Sequence, residues 1–570
     1  MRSTAYNQPV VHTLFSLRLH RVGQWIAALG VSLAFALTTT ANARGQAASE
    51  SGRILLVLPF DNGTGQPSLE WIREAAPVIL SSRFASAGFA PMSRQDRLYA
   101  LDHLGLPQGF HPSRATALKL AETLDADSII VGSYVTEGTG IVAQAQVVDV
   151  PHLRMSEPVT ARGQMLDLIA VFDSLAWKLT RQLDPGFKGT EETFVAAGKG
   201  LRLDAFEQYI RGITEPDQAE RLRHLQSAVK LSPEFGPAWM ALGREDYNGQ
   251  QYEEAAKAFA KAGHGSSGAT GPDALEAGFY GGLSLIFSGN YDKAEAAFAG
   301  VARVLPLAEV VNNQGVAVSR EGHDGSALFR QAVAADPSNA DYHFNLAVSL
   351  KRHGSTAEAL TDLAQCLRLR PNDSEAQDLD TVWKAPAGLK AVGIKLNPKP
   401  GSSPASDPVA ELRADPLERI ARSFDAVAFR QAALMMDQME ASRLAVLTPR
   451  ERAQKLAGQA RDYLDRGLLL EAERLYLSAV AADSKAAEAH EGLAEVRELT
   501  GDAEAARKEA QASLKLEPSA DAYLVLGRLD LAEGQLAEAS KETGEALRLA
   551  PQSRAAHQLQ QQLKDREDLK

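Results

Sequence analysis

Several residue types and motifs that mark common protein classes are scarce or absent in this 570-residue chain. Cys366 is its one cysteine, which excludes an intrachain disulfide and a cysteine metal cluster. Acidic residues outnumber basic ones, 72 to 60, and the net charge of −12 argues against nucleic-acid binding, which needs a basic face. Beyond residue 43 no apolar run is long enough to span a membrane. The composition is that of ordinary globular protein, and the length indicates several domains.

Motifs for catalysis are also missing. The letters Gly263-x-Gly265-x-x-Gly268 match the dinucleotide fingerprint, but that fingerprint follows a strand, and a helix is predicted here. There is no P-loop, no GxSxG turn, no HExxH and no EF-hand loop. His343 and His353 are too far apart on one predicted helix to form a metal pair. The sequence therefore predicts no catalytic residue, no cofactor and no metal site, and disfavours an enzyme.

Residues 1–43 have the pattern of an export signal. Arginines, including Arg18 and Arg21, precede the apolar stretch WIAALGVSLAFAL at 25–37, and Ala41-Asn42-Ala43 matches a cleavage site. We expect cleavage after Ala43 and a periplasmic or envelope-associated protein. The alternative is that the segment is kept as a membrane anchor, in which case the chain would be membrane-associated.

Residues 53–183 alternate between strand and helix patterns. Continuous apolar runs such as Ile54-Leu55-Leu56-Val57-Leu58 are typical of buried strands. Strands are predicted at 54–58, 128–134, 141–150 and 153–163, and helices at 69–87, 113–124 and 165–183. This order predicts a small mixed α/β sandwich.

The remainder of the chain carries helical hairpins that repeat. In residues 341–371, Leu346, Ala347 and Leu350 form the apolar face of one predicted helix. Gly354 ends that helix, and a second helix with its own apolar face follows. The same order of landmarks returns about every 34 residues. Further copies are marked by the residues Trp239, Leu242, Gly243, Ala255, Phe259, Ala262, then Gly289, Tyr291, Ala294, Phe298, Pro306, then Tyr463, Gly467, Ala472, Tyr476, Ala479, then Leu493, Gly501, Ala506, Pro518, and Tyr523, Leu526, Gly527, Gly534, Ala539, Ala546, Pro551. A shorter copy surrounds Gly315 and Phe329, and a weaker one covers 202–233.

These landmarks resemble the tetratricopeptide repeat (TPR) family. The resemblance implies a mostly α fold, a TPR α-solenoid in two blocks that follow the α/β sandwich domain. The stretches ILLVLPFDNGTG, LDADSIIVGSY and GIVAQAQVVDV look like the TolB-like amino-terminal module, which is related to curli-secretion and flagellar-rim proteins. That second resemblance implies an adaptor of the bacterial cell envelope.

The predicted organisation follows from these patterns. A signal peptide occupies 1–43, the TolB-like α/β module 53–183, and the first TPR block 201–383. A Pro/Gly/Ser-rich linker occupies 384–416, and a helical pair follows at 417–447. The second TPR block spans 452–553, and a polar capping helix completes the array at 554–570.

Stacked hairpins build a concave face from the first helix of each repeat, and peptides bind in such grooves. Family positions give seven protein-binding groove candidates, namely Met240, Arg244, Tyr247, Asp341, Phe344, Val348 and Lys351. The partners predicted by this reading are proteins or peptides, not nucleic acid.

Three functions stay open at this point. The favoured one is an exported, non-enzymatic scaffold that binds proteins through TPR grooves. A structural component of a secretion or surface-appendage assembly, oligomerising through the α/β module, is an alternative. The third is a hydrolase or small-ligand sensor with its site near residues 61–65, Asp127 and Ser133.

Overall fold

The computed structural model describes residues 54–107, 109, 113–263, 272–384, 416–423, 435 and 438–567. The predicted signal peptide and nearly all of the predicted 384–416 linker lie outside these residues. Among the described helices, none combines the length and the apolar character that crossing a bilayer requires.

The amino-terminal region is a mixed sheet with helices on both faces. Its elements, in chain order, are β1 (Ile54–Val57), β2 (Asp61–Asn62), α1 (Ile72–Ser86), β3 (Ala90–Pro91), α2 (Arg94–His103), α3 (Arg114–Thr123), β4 (Ser128–Glu137), β5 (Gly140–Asp149), β6 (Arg154–Met155), β7 (Val159–Gln164) and α4 (Leu168–Leu183). The strand order is β3-β1-β4-β5-β6, with β2 beside β4 and β7 beside β5. β1 runs parallel to β3 and β4, whereas β4, β5 and β7 are antiparallel.

Alternation along the strands creates two apolar cores. Leu55, Val57 and Ile130 face the core that contains α1 and α4. Leu56 and Ile129, one residue out of phase, face the core that contains α2 and α3. Successive strand residues point to opposite faces, so uninterrupted apolar runs are what a sheet covered on both sides requires. The predicted α/β sandwich is confirmed.

One predicted strand is divided. The stretch 153–163 forms β6 and β7, with Pro158 between them. Proline cannot donate to a strand ladder. Ser156 meanwhile binds back to Val147, whose backbone N–H donates to the serine hydroxyl at 3.0 Å. The chain therefore leaves the ladder for a few residues and rejoins it on β5.

The rest of the described chain is helical. A short helix α5 (Glu191–Ala197) leads into a first series, which comprises α6 (Leu203–Thr214), α7 (Gln218–Leu231), α8 (Gly236–Asn248), α9 (Tyr252–Gly263), α10 (Pro272–Phe287), α11 (Tyr291–Val304), α12 (Ala308–Arg320), α13 (Ser326–Ala335), α14 (Ala340–Arg352), α15 (Thr356–Leu369) and α16 (Ser374–Lys384). A second series comprises α17 (Pro449–Leu464), α18 (Leu469–Ala482), α19 (Ala487–Thr500), α20 (Ala503–Leu516), α21 (Ala520–Ala532), α22 (Leu536–Leu549) and α23 (Arg554–Glu567). The mostly α, TPR-like solenoid that the sequence predicts is confirmed.

Glycines let the two helices of a pair pack closely. A Cβ added to Gly243 would lie 2.9 Å from the ring of Phe259 on the second helix of its pair. The corresponding distances are 2.7 Å from Gly282 to Phe298 and 2.8 Å from Gly315 to Phe329. These are far inside van der Waals contact, so each aromatic ring fills the space that a side chain would need.

The predicted helical pair at 417–447 is wrong in its first part. Residues 416–423 are not helical, although 438–445 are. Residues 424–434 lie outside the described chain. Extended residues 416–423 instead bond to side chains of α12 and α14, as described below, so their backbone groups are satisfied without a helix.

The second series contacts the α/β module through α5. Arg497 of α19 pairs with Glu473 of α18, and the guanidinium also donates to Thr190 beside α5. The backbone N–H of Thr190 lies 3.4 Å from both Glu473 carboxylate oxygens. Burial raises the pKa of Glu473 to about 7, an effect that Arg497 reduces but does not cancel. Trp71 of the module packs edge-to-face on Phe206 of α6, so the module contacts both helical series.

The packing of Gly492 gives a stability prediction. Its added Cβ would lie 2.0 Å from Tyr476, a buried ring with no room to move. Gly492→Ala should lower the free energy of unfolding by about 1–3 kcal/mol through overpacking. The control is Gly458→Ala, where an added Cβ meets nothing within 4 Å. It should be stabilising by up to ~1 kcal/mol, because alanine is the better helix former. Thermal and urea unfolding of both variants would test this, and equal effects would contradict the packing described.

Candidate functional site

The first helices of the hairpins in the first series line one continuous surface, and the chain's own residues 416–423 lie on it. Contacts to this segment come from Phe287 at the end of α10, from α12, from α14, and from the start of α16. Four successive repeats of the solenoid thus contact one extended segment of the chain. We call this surface the groove and residues 416–423 the groove segment.

Two asparagines bind the backbone of the groove segment. The side-chain amide of Asn313 donates to the carbonyl of Ala421 at 2.8 Å and accepts the N–H of Ala421 at 2.9 Å. Asn345 does the same for Arg419, at 2.7 Å and 2.6 Å. Each asparagine therefore satisfies both backbone groups of one residue. The two residues held are alternate ones, as in a β-strand, where side chains point in opposite directions in turn.

A third asparagine completes this network. Asn312 donates to the carbonyl of Arg419 at 3.2 Å and accepts from the Asn345 amide at 2.8 Å. All three asparagine side chains are fully buried with the segment in place. A buried amide without partners is costly, so the groove segment satisfies polar groups that the helices alone leave without their full set of bonds.

Arg419 fills an acidic pocket. Its guanidinium makes a two-pronged contact with Asp373, at 2.6 and 2.8 Å, and reaches Asp341 and Glu375 at 2.9 Å each. Its carbon centre lies 3.6 Å from the centroid of the Phe344 ring. A planar guanidinium can donate two parallel hydrogen bonds to one carboxylate and stack on an aromatic ring at the same time. The ammonium group of lysine cannot do both.

The electrostatics of this pocket favour the charged pairing. Burial alone would raise the pKa values of Asp341 and Asp373, but hydrogen bonds from Arg370 and Arg419 to Asp341, and from Arg419 to Asp373, outweigh burial. The pKa of both carboxyl groups therefore lies below the usual range. For Arg419, burial works against the charge, yet its acidic partners hold the pKa above the ordinary value.

Glu418 fills a basic pocket beside the acidic one. Arg352 and Ser319 both hydrogen-bond its carboxylate, and the Nε of Arg320 lies 3.7 Å from it. The two arginines also bind the backbone, since Arg320 donates to the carbonyl of Glu418 at 3.0 Å and Arg352 to that of Pro416 at 2.7 Å. The Glu418 carboxylate is completely buried.

Smaller contacts flank these pockets. Ile420 packs against the apolar core of the first series, and Arg422 lies over the ring of Phe287 at 5.2 Å. Leu417 points to solvent. The groove segment therefore presents Glu418, Arg419 and Ile420 to the helices, and the side chain of Leu417 takes no part.

The structure distributes the seven predicted groove residues among different roles. Asp341 and Phe344 contact Arg419. Tyr247 packs its ring on Tyr280 and Phe287, near Arg422, and burial raises its pKa to about 12. Arg244 pairs with Glu276 at 2.5 Å, and Lys351 lies over Trp383. Met240 and Val348 are buried in the core. Their assignment as residues that bind a partner protein stays a prediction.

Sequence reasoning missed the asparagines and the arginine pair. A signal for them exists. Asn312 and Asn345 stand at equivalent positions in neighbouring repeats, as do Ser319 and Arg352. Asparagine is unfavourable inside helices because its side chain competes for backbone groups. Its return at the repeat period, on the first helix, therefore indicates a functional position.

The residues of the alternative site in the α/β module have structural partners. Asp127 accepts the backbone N–H of Ile54 at 2.8 Å. The Asn62 amide donates to Glu70 at 2.9 Å, across the loop that follows β2. Ser133 lies within β4, opposite Gln144 of β5. No group of three or more potential metal ligands was found among the described residues.

Paired helices with small-to-aromatic packing and a concave groove define the class of solenoid repeat proteins. Residues 319–374 and 458–521 match the family described as tetratricopeptide repeat. The chain therefore contains TPR repeats, one matched segment in each series. No curated protein matches the chain. The TolB-like assignment of residues 53–183 stays a prediction.

Solved structures that resemble parts of the chain do so at low sequence identity. YrrB, described as a TPR protein with an unusual peptide-binding site, is 16% identical, with a TM-score of 0.27 over 36% of this chain and 99% of YrrB. MamA from Desulfovibrio magneticus RS-1 is 20% identical, with a TM-score of 0.27 over 31% of this chain and 100% of that one. The LpoB C-terminal domain from Salmonella enterica is 20% identical, with a TM-score of 0.18 over 21% and 87%.

The ion pair between Arg419 and Asp373 can be measured by a double-mutant cycle. Their side chains are 18% and 6% exposed. We expect a coupling energy of about 1–3 kcal/mol in the free energy of unfolding, because both charged groups are largely desolvated and two hydrogen bonds join them. The control cycle is Arg330 with Glu358, a pair at 2.9 Å that is 52% and 62% exposed. It should give at most about 0.5 kcal/mol. Equal couplings would mean that the groove segment is not held as described.

Proposed function

We propose that this protein is an exported, non-enzymatic scaffold that holds a protein partner in the groove of its first TPR block. One observation carries the proposal. Asn313 and Asn345 each bind both backbone groups of one residue in an extended segment. Such contacts do not depend on side-chain identity, so they suit capture of any extended peptide.

The charged pockets add selectivity to this backbone binding. Buried, hydrogen-bonded charges discriminate strongly, because a wrong partner leaves them unpaired. The basic pocket is formed by residues of α12 and α14. In the acidic pocket, Asp341 lies on α14 and Glu375 on α16, and Asp373 directly precedes α16 and accepts the backbone N–H of Ala376 at 3.1 Å. The groove contacts the segment through its backbone and through two buried charged pairings, which supports a binding function.

Export and the envelope location belong to the same proposal. The signal-like residues 1–43 support them, as does the TolB-like sequence pattern of residues 53–183. In this view the α/β module attaches the protein to an envelope component, while the first TPR block presents the groove. The contact between α5 and the second series joins the module to that series.

Capture from periplasmic extract tests the groove. The full chain should retain a partner that the double variant Asn313→Ala/Asn345→Ala loses, because the backbone of the bound peptide is no longer held. A matched control is Asn290→Ala, which changes an asparagine in the same block whose amide bonds only to Ser288 nearby. Equal recovery of all partners by the wild type and the double variant would contradict groove-based binding.

The same preparation tests export. Protein isolated from the periplasmic fraction should have an amino terminus that follows Ala43. Recovery of the chain only from the cytoplasm, with residues 1–43 intact, would contradict an exported scaffold while leaving peptide binding untouched.

A further inference from the structure

We infer that the groove is selective for an extended peptide with the order acidic residue, arginine, aliphatic residue, and that Glu418-Arg419-Ile420 is a built-in copy of this ligand. A partner would have to displace it. The inference rests on the proposed function, since it names the chemistry of the peptide that the same groove would hold.

The pockets are complementary to this order of residues. The acidic pocket combines three carboxylates, those of Asp341, Asp373 and Glu375, with the single arginine Arg370. Without Arg419 it holds an excess of negative charge. The adjacent pocket presents Arg320 and Arg352 to one carboxylate, that of Glu418.

The backbone contacts fix which residue enters which pocket. Asn345 holds both backbone groups of Arg419, and Asn313 holds those of Ala421. With this register set, the residue before Arg419 must face the arginines, and Arg419 must face the carboxylates. A peptide with the two charges exchanged would place a carboxylate against the carboxylates and a guanidinium against Arg320 and Arg352. Like charges in such pockets are strongly disfavoured.

The groove segment is covalently attached, which makes it a competitor. A tethered ligand can act at an effective concentration on the order of millimolar when its tether spans the site. A free peptide with the same contacts would therefore bind the wild-type chain more weakly than a chain whose built-in copy is weakened. Weakening the built-in copy should expose the intrinsic affinity of the groove.

The test uses a fluorescein-labelled peptide with the sequence Pro-Leu-Glu-Arg-Ile-Ala-Arg-Ser, identical to residues 416–423. Its binding to the full chain is measured by fluorescence anisotropy. The variant Glu418→Ala/Arg419→Ala should bind the peptide at least about tenfold more tightly than the wild type, because the built-in copy has lost both charged anchors. Adding Asn313→Ala/Asn345→Ala to this variant should abolish the gain.

The matched control peptide has the same composition with the two charges exchanged, Pro-Leu-Arg-Glu-Ile-Ala-Arg-Ser. It should bind the Glu418→Ala/Arg419→Ala variant at least about tenfold more weakly than the native order. Equal binding of both peptides would overturn the selectivity. Equal binding of the native peptide to the wild type and the variant would overturn the competitor role. A wild-type dimer that dissociates in the variant would assign the groove segment to a second copy, and would also overturn it.

Selection from a library of random octapeptides separates failure of this inference from failure of the proposed function. Peptides that require Asn313 and Asn345 but lack an acidic-arginine-aliphatic order would overturn the selectivity and leave the scaffold role standing. If no selected peptide required the asparagines, both the selectivity and the scaffold role would be contradicted. Enrichment of the predicted order, dependent on the asparagines, supports both.

Discussion

The groove depends on the pairing of asparagine amides with the backbone of an extended chain. Asn312, Asn313 and Asn345 are fully buried on the inner helices of the first series. Leaving a buried amide without partners costs about 1–3 kcal/mol. The asparagines satisfy one another only in part, since Asn312 accepts from Asn345 and donates to Asn313, and their other bonds go to the groove segment. The bonds to Arg419 and Ala421 therefore hold a peptide backbone and set its register, and the charged pockets act within that register.

The fold supplies this surface by repetition. Glycines on the first helix and aromatic rings on the second allow close pairing, and stacking of the pairs aligns the first helices. Since α12 and α14 are consecutive first helices, equivalent positions on them lie one repeat apart along the groove. The equivalent residues Asn312 and Asn345 both bind Arg419, whereas Asn313, the next residue on α12, binds Ala421, so the segment is held at alternate residues. The α/β module contacts α6 of the groove-bearing series and, through α5, α18 and α19 of the second series, which links the two series.

Much of the architecture could be predicted from the sequence because it depends on periodic apolar residues. The runs around Leu55 and Ile129, and the repeat landmarks such as Gly243 with Phe259, correspond to packing that is local and regular. The groove segment could not be predicted in this way. The predicted helical pair at 417–447 included it, but its conformation is decided by side-chain bonds from α12 and α14, far away in the sequence. The same holds for Arg497 and Glu473, whose pairing joins α19 and α18 to Thr190 through contacts that no periodicity records.

Of the predicted groove residues, Asp341 and Phe344 contact Arg419 of the groove segment, whereas Met240 and Val348 are buried among core residues. The difference arises because neighbouring faces of one helix serve the groove and the helix partner, and a sequence does not show where one face ends. The asparagines are a better guide. A polar residue that disfavours helices, repeated at the same place on successive inner helices, has to be explained by something that binds it.

Hydrogen–deuterium exchange of residues 416–423, followed by mass spectrometry on the full chain, measures the central interaction most directly. The amide hydrogens of Arg419 and Ala421 bond to Asn345 and Asn313, so they should exchange at least about a hundredfold more slowly than in the free peptide. Asn313→Ala/Asn345→Ala should remove this protection. Exchange in the wild type at the rate of the free peptide would show that the groove does not hold this segment, and would contradict the account.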